Sequence, residues 1–192
     1  SQENARCPMA EHVCPWWIGY LLLSPLRRLG QNPANILGPH LRPGMVALDA
    51  GCAMGFFSLD MARLVGPEGR VVCVDLQPKM IKVLVRRASN AGVIDRIDPR
   101  VCDRYGLGLQ ELAGKVDFAL AFAIVHEVPD VEDFLQQIHA VLREGGRCLL
   151  AEPKGHVSEG RFEETLASAR RARLECVARL EIRRSRAALL SR

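Results

Sequence analysis

Aromatic residues are scarce in this chain: 2 Trp, 2 Tyr and 6 Phe make up 5% of its 192 residues. A surface that grips single-stranded nucleic acid needs stacking platforms among its cations. The stretch from Arg161 to Arg192 holds 9 Arg against 4 Glu, yet Phe162 is its only aromatic. That arginine excess reads as solvated helix and hairpin faces rather than a stacking groove. Long apolar runs are also missing, since none nears the roughly 18 residues a membrane-spanning helix needs. No cleavable leader with a basic start and a small-residue cleavage site is expected, and the expected location is cytoplasmic. None of the 7 cysteines forms a C-x-x-C pair or a zinc-like spacing, which argues against a structural metal.

What is present fits one ordinary globular domain. Hydrophobic residues make up 48% and charged residues 25%, with a net charge of +4; this length suits a single large core. Cys52, Cys73, Cys102, Cys148 and Cys176 lie in apolar or turn contexts and read as small hydrophobes in a reducing compartment. Cys7 and Cys14 flank a segment unlike core, and a soft metal or metalloid is the alternative reading for that pair.

The most informative stretch is Val46-Ala47-Leu48-Asp49-Ala50-Gly51-Cys52-Ala53-Met54-Gly55. It reads as a buried strand that ends in a turn of glycines and small residues, then enters a helix near Phe56. Glycine reaches positive φ without strain and lets a ligand approach the main chain, while the helix start offers unpaired N–H groups. A second apolar strand, Val71–Val74, ends at Asp75, where a carboxylate can accept hydrogen bonds from ribose hydroxyls. These features point to a nucleoside cofactor. The dinucleotide fingerprint G-x-G-x-x-G does not fit, because the small residues fall at Gly51, Ala53 and Gly55 after Asp49.

Strands and helices alternate along the chain. Strands are expected at about 45–49, 70–75, 100–103, 116–122 and 147–151, with two closing strands at about 174–180 and 187–190. Helices are expected at about 57–65, from Pro78 to Gly92, over 131–142 and over 158–171. A short helix from Asn32-Pro33 leads to Pro43-Gly44. The pattern implies a doubly wound α/β sheet, mostly parallel, with helices on both faces. Asp49, Asp75, Asp103 and the Phe122–His126 segment all fall at strand C-termini, where such sheets bind ligands.

The frame Asp49-x-Gly51-x-Ala53-x-Gly55 resembles the first motif of the class I S-adenosylmethionine-dependent methyltransferases, D/E-x-G-x-G-x-G. Two further segments are similar to small-molecule members, the UbiE-like group: Ala123-Ile124-Val125-His126-Glu127-Val128-Pro129-Asp130 and Leu142-Arg143-Glu144-Gly145-Gly146-Arg147. The resemblance implies a Rossmann-like, seven-stranded sheet whose last strand is antiparallel and inserted beside its neighbour. It places Asp49, Gly51 and Gly55 against the methionine part of S-adenosylmethionine, with Ala53 among the cofactor-binding residues of the same turn. It places Asp75 with Leu76 at the ribose, Asp103 at the adenine and Ala123 along the cofactor. Ala53 departs from the usual glycine and is tolerated if its φ is negative. Glu127 replaces a second histidine. The N/D-P-P-Y/F sequence of enzymes that methylate DNA amines is absent, so no DNA substrate is expected.

A sulfonium is already a strong methyl donor, so alignment and water exclusion matter more than side-chain chemistry. Where an acceptor must lose a proton, His126 is the candidate base, with Glu127 the alternative. Residues 1–44 are expected to form a helical lid on the acceptor side of a methyltransferase domain over 45–192. Trp16, Trp17 and Tyr20 would then line an apolar acceptor pocket; plain core packing, a homodimer contact or a membrane surface are the other readings. The activity expected is methyl transfer to a small-molecule acceptor. The alternatives are a nicotinamide-dependent oxidoreductase, or a binding subunit without catalysis.

Overall fold

The computed structural model describes residues 30–192. Trp16, Trp17, Tyr20, Cys7 and Cys14, and with them most of the expected lid, lie outside the described residues. The sheet has seven strands: β1 Val46–Ala50, β2 Arg70–Asp75, β3 Ile97–Val101, β4 Val116–Phe122, β5 Leu142–Pro153, β6 Glu175–Ile182 and β7 Ser185–Ser191. Its helices are α1 Pro33–Leu37, α2 Ser58–Val65, α3 Pro78–Asn90, α4 Val131–Val141 and α5 Glu159–Arg171. The strand order is β3-β2-β1-β4-β5-β7-β6, with β7 antiparallel to both of its neighbours.

The apolar runs become strands covered on both faces, and strand geometry sends alternate side chains to opposite sides. Ala47, Val71, Cys73, Phe118, Leu120 and Leu149 point into one core with Met61 and Ala62 of α2 and Leu84 of α3. Leu48, Val72, Ala119, Ala121 and Leu150 point into the other, with Leu135 and Ile138 of α4 and Phe162 of α5. Each large side chain fully withdrawn from water contributes about 1.5–3 kcal/mol. Leu37 of α1 joins the first core, and Asn32 caps that helix through its side chain to the Ala34 amide.

Two strands differ from the sequence expectation. β3 begins at Ile97 rather than near residue 100 and ends before Cys102. Its sequence alternates polarity and contains Pro99, which suits an edge strand paired only with β2. β5 starts at Leu142, five residues before the expected Arg147, because the chain leaves α4 directly in extended form. The extra residues around Gly145 are absorbed as a register shift against β4.

After β3 at one edge the chain returns to the middle and lays β4 beside β1. At such a reversal the loops leave β1 and β4 in opposite directions and open a crevice beyond the strand ends. The candidate site lies there.

Candidate active site

The β1–α2 turn is built by main-chain bonds. The Gly51 and Cys52 amides donate to Val74 O at 2.9 and 3.0 Å, and the Gly55 amide donates to Cys52 O at 2.9 Å. Gly51 has φ +79°, and a Cβ there would lie 2.8 Å from the Ile124 side chain. Ala53 has φ +47°, so the negative φ that would make its methyl group easy to tolerate is not what this turn uses. A non-glycine residue in that region costs about 1–2 kcal/mol. The strain is met locally, as the Ala53 amide donates to Asp75 Oδ2 at 2.9 Å.

Asp75 ends β2 and also accepts the Gln77 amide on Oδ1 at 2.8 Å. Burial raises its pKa, while those two amides work in the opposite direction. Asp49 sits deeper, 3% exposed, on the α2 side of β1. Its Oδ2 accepts the Ser58 hydroxyl at 2.5 Å. Burial pushes its carboxyl up to about 7 despite that bond, and the neighbouring Asp75 adds to the rise.

A cavity of about 1130 Å³ opens over these groups. Asp49, Gly51, Ala53, Asp75, Leu76, Asp103, Ala123 and His126 all line it. Gly55 does not. At φ +80° its missing side chain makes room for Leu84 of α3, whose Cδ1 would be 2.3 Å from a Cβ; its role here is helix packing. Asp103 lines the wall, with Oδ1 accepting the Tyr105 and Gly106 amides at 2.7 and 2.6 Å. Phe56, Phe57 and Phe122 form an apolar wall, with 4.5 Å between the ring centroids of Phe57 and Phe122. Cys52 and Cys102 also line the cavity, and burial holds both thiols protonated, Cys102 at about 11.

Beyond β4 the backbone turns at Ala123, φ +57°, whose amide donates to Ala151 O at 2.7 Å. This swings Val125 and His126 over the end of β5. There stands Glu152, 1% exposed, which sequence reasoning missed by ending that strand at Ala151. Its Oε1 accepts the Val125 amide at 2.9 Å, and its Oε2 pairs with His126 Nδ1. That bond to Glu152 is the main reason the His126 pKa is raised. The signal available beforehand was an acid closing an otherwise apolar strand. Among the described residues, no group of three or more His, Cys, Asp or Glu is placed to hold a metal ion.

Residues 41–184 match the family described as "Methyltransferase domain". The chain belongs to that family. Its cofactor is S-adenosylmethionine. Over 152 residues it is 32% identical to a ubiquinone biosynthesis O-methyltransferase of Methylocella silvestris, covering 77% of this chain and 57% of that protein. Over 112 residues it is 29% identical to a ubiquinone/menaquinone biosynthesis C-methyltransferase of Hydrogenovibrio crunogenus, covering 58% of this chain and 43% of that protein. The chain thus spans about half the length of these curated relatives. A SAM-dependent methyltransferase from Aquifex aeolicus superposes with a TM-score of 0.82 at 19% identity, covering 93% of this chain and 98% of that one. The [4+2]-cyclase SpnF superposes at 0.67 with 20% identity, over 79% of this chain and 60% of that one. These likenesses concern the fold. Neither family nor relatives support the nicotinamide alternative.

The methyltransferase-domain residues fit the cofactor. An acid at the end of β1, Asp49, suits a cationic sulfonium and its ammonium group. Each Asp75 oxygen accepts one amide hydrogen bond and, as a carboxylate, keeps a second acceptor site for a ribose hydroxyl.

Proposed function

We propose that this domain transfers the methyl group of S-adenosylmethionine to a small-molecule acceptor. One observation carries the reading: Asp49 and Asp75 flank a strained turn at the floor of one cavity. Asp75, with Leu76 beside it, would hold the ribose, Asp103 would face the adenine, and Asp49 would face the positive charge. When bound, the cofactor supplies an electrophilic methyl group. The protein's own residues align the partners and shut out water, chiefly through the wall of Phe56, Phe57 and Phe122. His126, which also lines the cavity, would be the proton acceptor.

The names of the relatives, both O- and C-methylating, point to hydroxylated quinone precursors as the acceptor class. Trp16, Trp17 and Tyr20 are proposed to close that acceptor side, within a lid of residues 1–44. A cytoplasmic setting is in keeping with free thiols at Cys52, Cys73, Cys102, Cys148 and Cys176.

Calorimetric titration of the full chain with S-adenosylmethionine, its demethylated product and NAD tests the first step. A labelled-methyl assay against phenols, thiols, amines and metalloids tests the second. Binding of NAD with no measurable affinity for either sulfur compound would overturn the reading. Cofactor binding without methylation of any acceptor would leave a binding subunit instead.

A further inference from the structure

The arginine excess of the C-terminal stretch, expected as solvated faces, divides into two sets in the folded chain. Arg171, Arg179 and Arg186 pair with Glu132, Glu163 and Glu159. Arg170 stands 3.8 Å from Glu175, and Arg192 donates to the His139 and Ala140 carbonyls at the end of α4. Arg161, Arg173, Arg183 and Arg184 make no ion pair and no side-chain hydrogen bond among the described residues. All of these but Arg173 line the cavity. Arg183 and Arg184 form the two-residue turn between β6 and β7, where Ile182 pairs with Ser185. Such turns favour Asn-Gly and similar pairs, yet this one holds Arg184 at φ +63°. The main chain of the turn is committed: Arg184 O accepts the Lys154 amide at 2.9 Å, and Gln31 Nε2 donates to Arg183 O at 3.0 Å and to Ser185 Oγ at 3.1 Å. These bonds tie the turn to the end of β5 and to the chain entering α1, and they leave both guanidinium groups uncommitted. The Arg183 head group lies beside Gly30, also in the cavity wall, with Nη1 3.4 Å from where a Cβ would stand. Arg161, at the start of α5, is close enough to His126 to oppose its protonation.

The cavity is therefore polarised. Asp49, Asp75 and Asp103 stand at the ends of β1, β2 and β3, while Arg161, Arg183 and Arg184 come from α5 and the β6–β7 turn. A strained turn that keeps arginines where glycine would fit marks a place where the side chains are used. Guanidinium forks match the oxygens of carboxylate and phosphate with parallel N–H···O bonds. We propose that Arg183 and Arg184, with Arg161, form a subsite for an anionic group, a carboxylate or a phosphate, that the methyl acceptor carries away from its reacting atom. The proposal rests on the methyltransferase reading above and adds the acceptor's charge to it. A cationic donor is then drawn to the acidic end and an anionic acceptor to the basic end, and each is repelled from the other's seat.

The test compares wild type, the double variant R183Q/R184Q and Arg161→Gln on acceptors that share one ring and differ in charge: catechol, its carboxylate protocatechuate, and a catechol bearing a phosphomonoester side chain. Wild type should favour the anionic acceptors by about 10-fold or more in kcat/KM, and the double variant should lose that preference through KM, with catechol turnover and cofactor affinity held within about threefold. R161Q should lose less in the same direction, and the wild-type preference should shrink as salt is added. Whichever anion gains more separates carboxylate from phosphate. Calorimetry with protocatechuate and the phosphomonoester gives a readout that needs no turnover: binding to wild type, lost in R183Q/R184Q. Equal kcat/KM on neutral and anionic acceptors, or equal loss on all of them in the double variant, overturns the proposal. Where no catechol is methylated, calorimetry decides, and anion binding that is absent or unchanged in the variant overturns it. Retention on phosphatidylglycerol vesicles that the double variant loses, with acceptor preference unchanged, would make the arginines a surface contact and overturn it as well. Should the double variant fail to fold, R161Q and the salt dependence decide by the same acceptor ratio. A wild type that binds no S-adenosylmethionine sinks the methyltransferase reading instead, while calorimetric anion binding still reports on the arginines.

Discussion

The Asp75 carboxylate reaches from the end of β2 to the Ala53 amide, 2.9 Å away, and holds an alanine at φ +47°. Two signals that stand 22 residues apart in sequence are therefore one device. Asp75→Asn replaces an acceptor pair with one acceptor and one donor, so one of the two amides it serves is left unmet. A lost buried partner costs about 1–3 kcal/mol. The expected result is a lower melting temperature together with weaker cofactor binding by calorimetry. Ala53→Gly should do the reverse to stability. Relief of about 1–2 kcal/mol of strain outweighs the roughly 0.4–1 kcal/mol that a more flexible unfolded chain costs. A clear destabilisation of A53G would contradict the strained geometry.

Asp49 makes stability depend on pH. Its carboxyl is raised from 3.8 to about 7 in the fold, chiefly by burial. The folded protein thus favours the neutral form. The associated stability is fully present below about pH 4 and is lost as pH rises through 7. Asp49→Asn stays neutral, so its stability should pull ahead of wild type between pH 4 and 7 and level off above. The advantage is on the order of a few kcal/mol, because each tenfold change in proton affinity is worth about 1.4 kcal/mol. A cationic ligand favours the ionised form, so cofactor binding at pH 6 should release a proton. That release appears as a binding enthalpy that changes with buffer. An enthalpy independent of buffer, with D49N no more stable at pH 8, would refute the assignment.

Much of the fold was legible because most strands are buried on both faces and so read as unbroken apolar runs. β3 was misplaced by three residues because Ile97-Asp98-Pro99-Arg100-Val101 alternates in polarity, as a half-exposed edge does. β5 was cut short at both ends, at Gly145-Gly146 and at Glu152, where glycine and an acid mimic loop. The floor of the site was legible from Asp49, Gly51 and Asp75, since the turn is local. The His126–Glu152 pair was not, because it joins the ends of two strands whose adjacency exists only after β4 pairs with β5. Gly55 shows the converse: a motif position suggested a ligand where the space is filled by Leu84.

Gly55→Ala tests that last point. The new methyl group would meet Leu84 Cδ1 at 2.3 Å and Leu59 Cδ1 at 2.9 Å, in a backbone at φ +80°. Overpacking costs about 1–3 kcal/mol and the conformation about 1–2 more. The variant should melt well below wild type. Leu84→Ala in the same chain should recover part of the loss, since it vacates the contested space. Additive destabilisation of the two changes would show that Gly55 is needed for something other than packing.

The end of α5 offers a way to stabilise the domain without touching the cavity. There the Leu174 amide donates to Ala169 O at 2.8 Å and the Arg173 amide to Arg170 O at 2.9 Å, with Arg173 at φ +62°. This is the Schellman pattern, in which the left-handed position is usually glycine. α3 ends the same way with the expected residue: Gly92 at φ +67°, its amide on Ser89 O, and Val93 bonded back to Ala88 O. Buried Leu174 and Val93 play matching parts, each packing where the chain leaves its helix. Arg173→Gly should therefore stabilise the protein by up to about 1 kcal/mol, the strain relieved less the added freedom of the unfolded chain. That is roughly 2–4 °C in melting temperature for a domain of this size. Gly92→Ala should cost about as much. A melting temperature lowered by R173G would mean that the arginine head group holds the helix end more firmly than its backbone strains it.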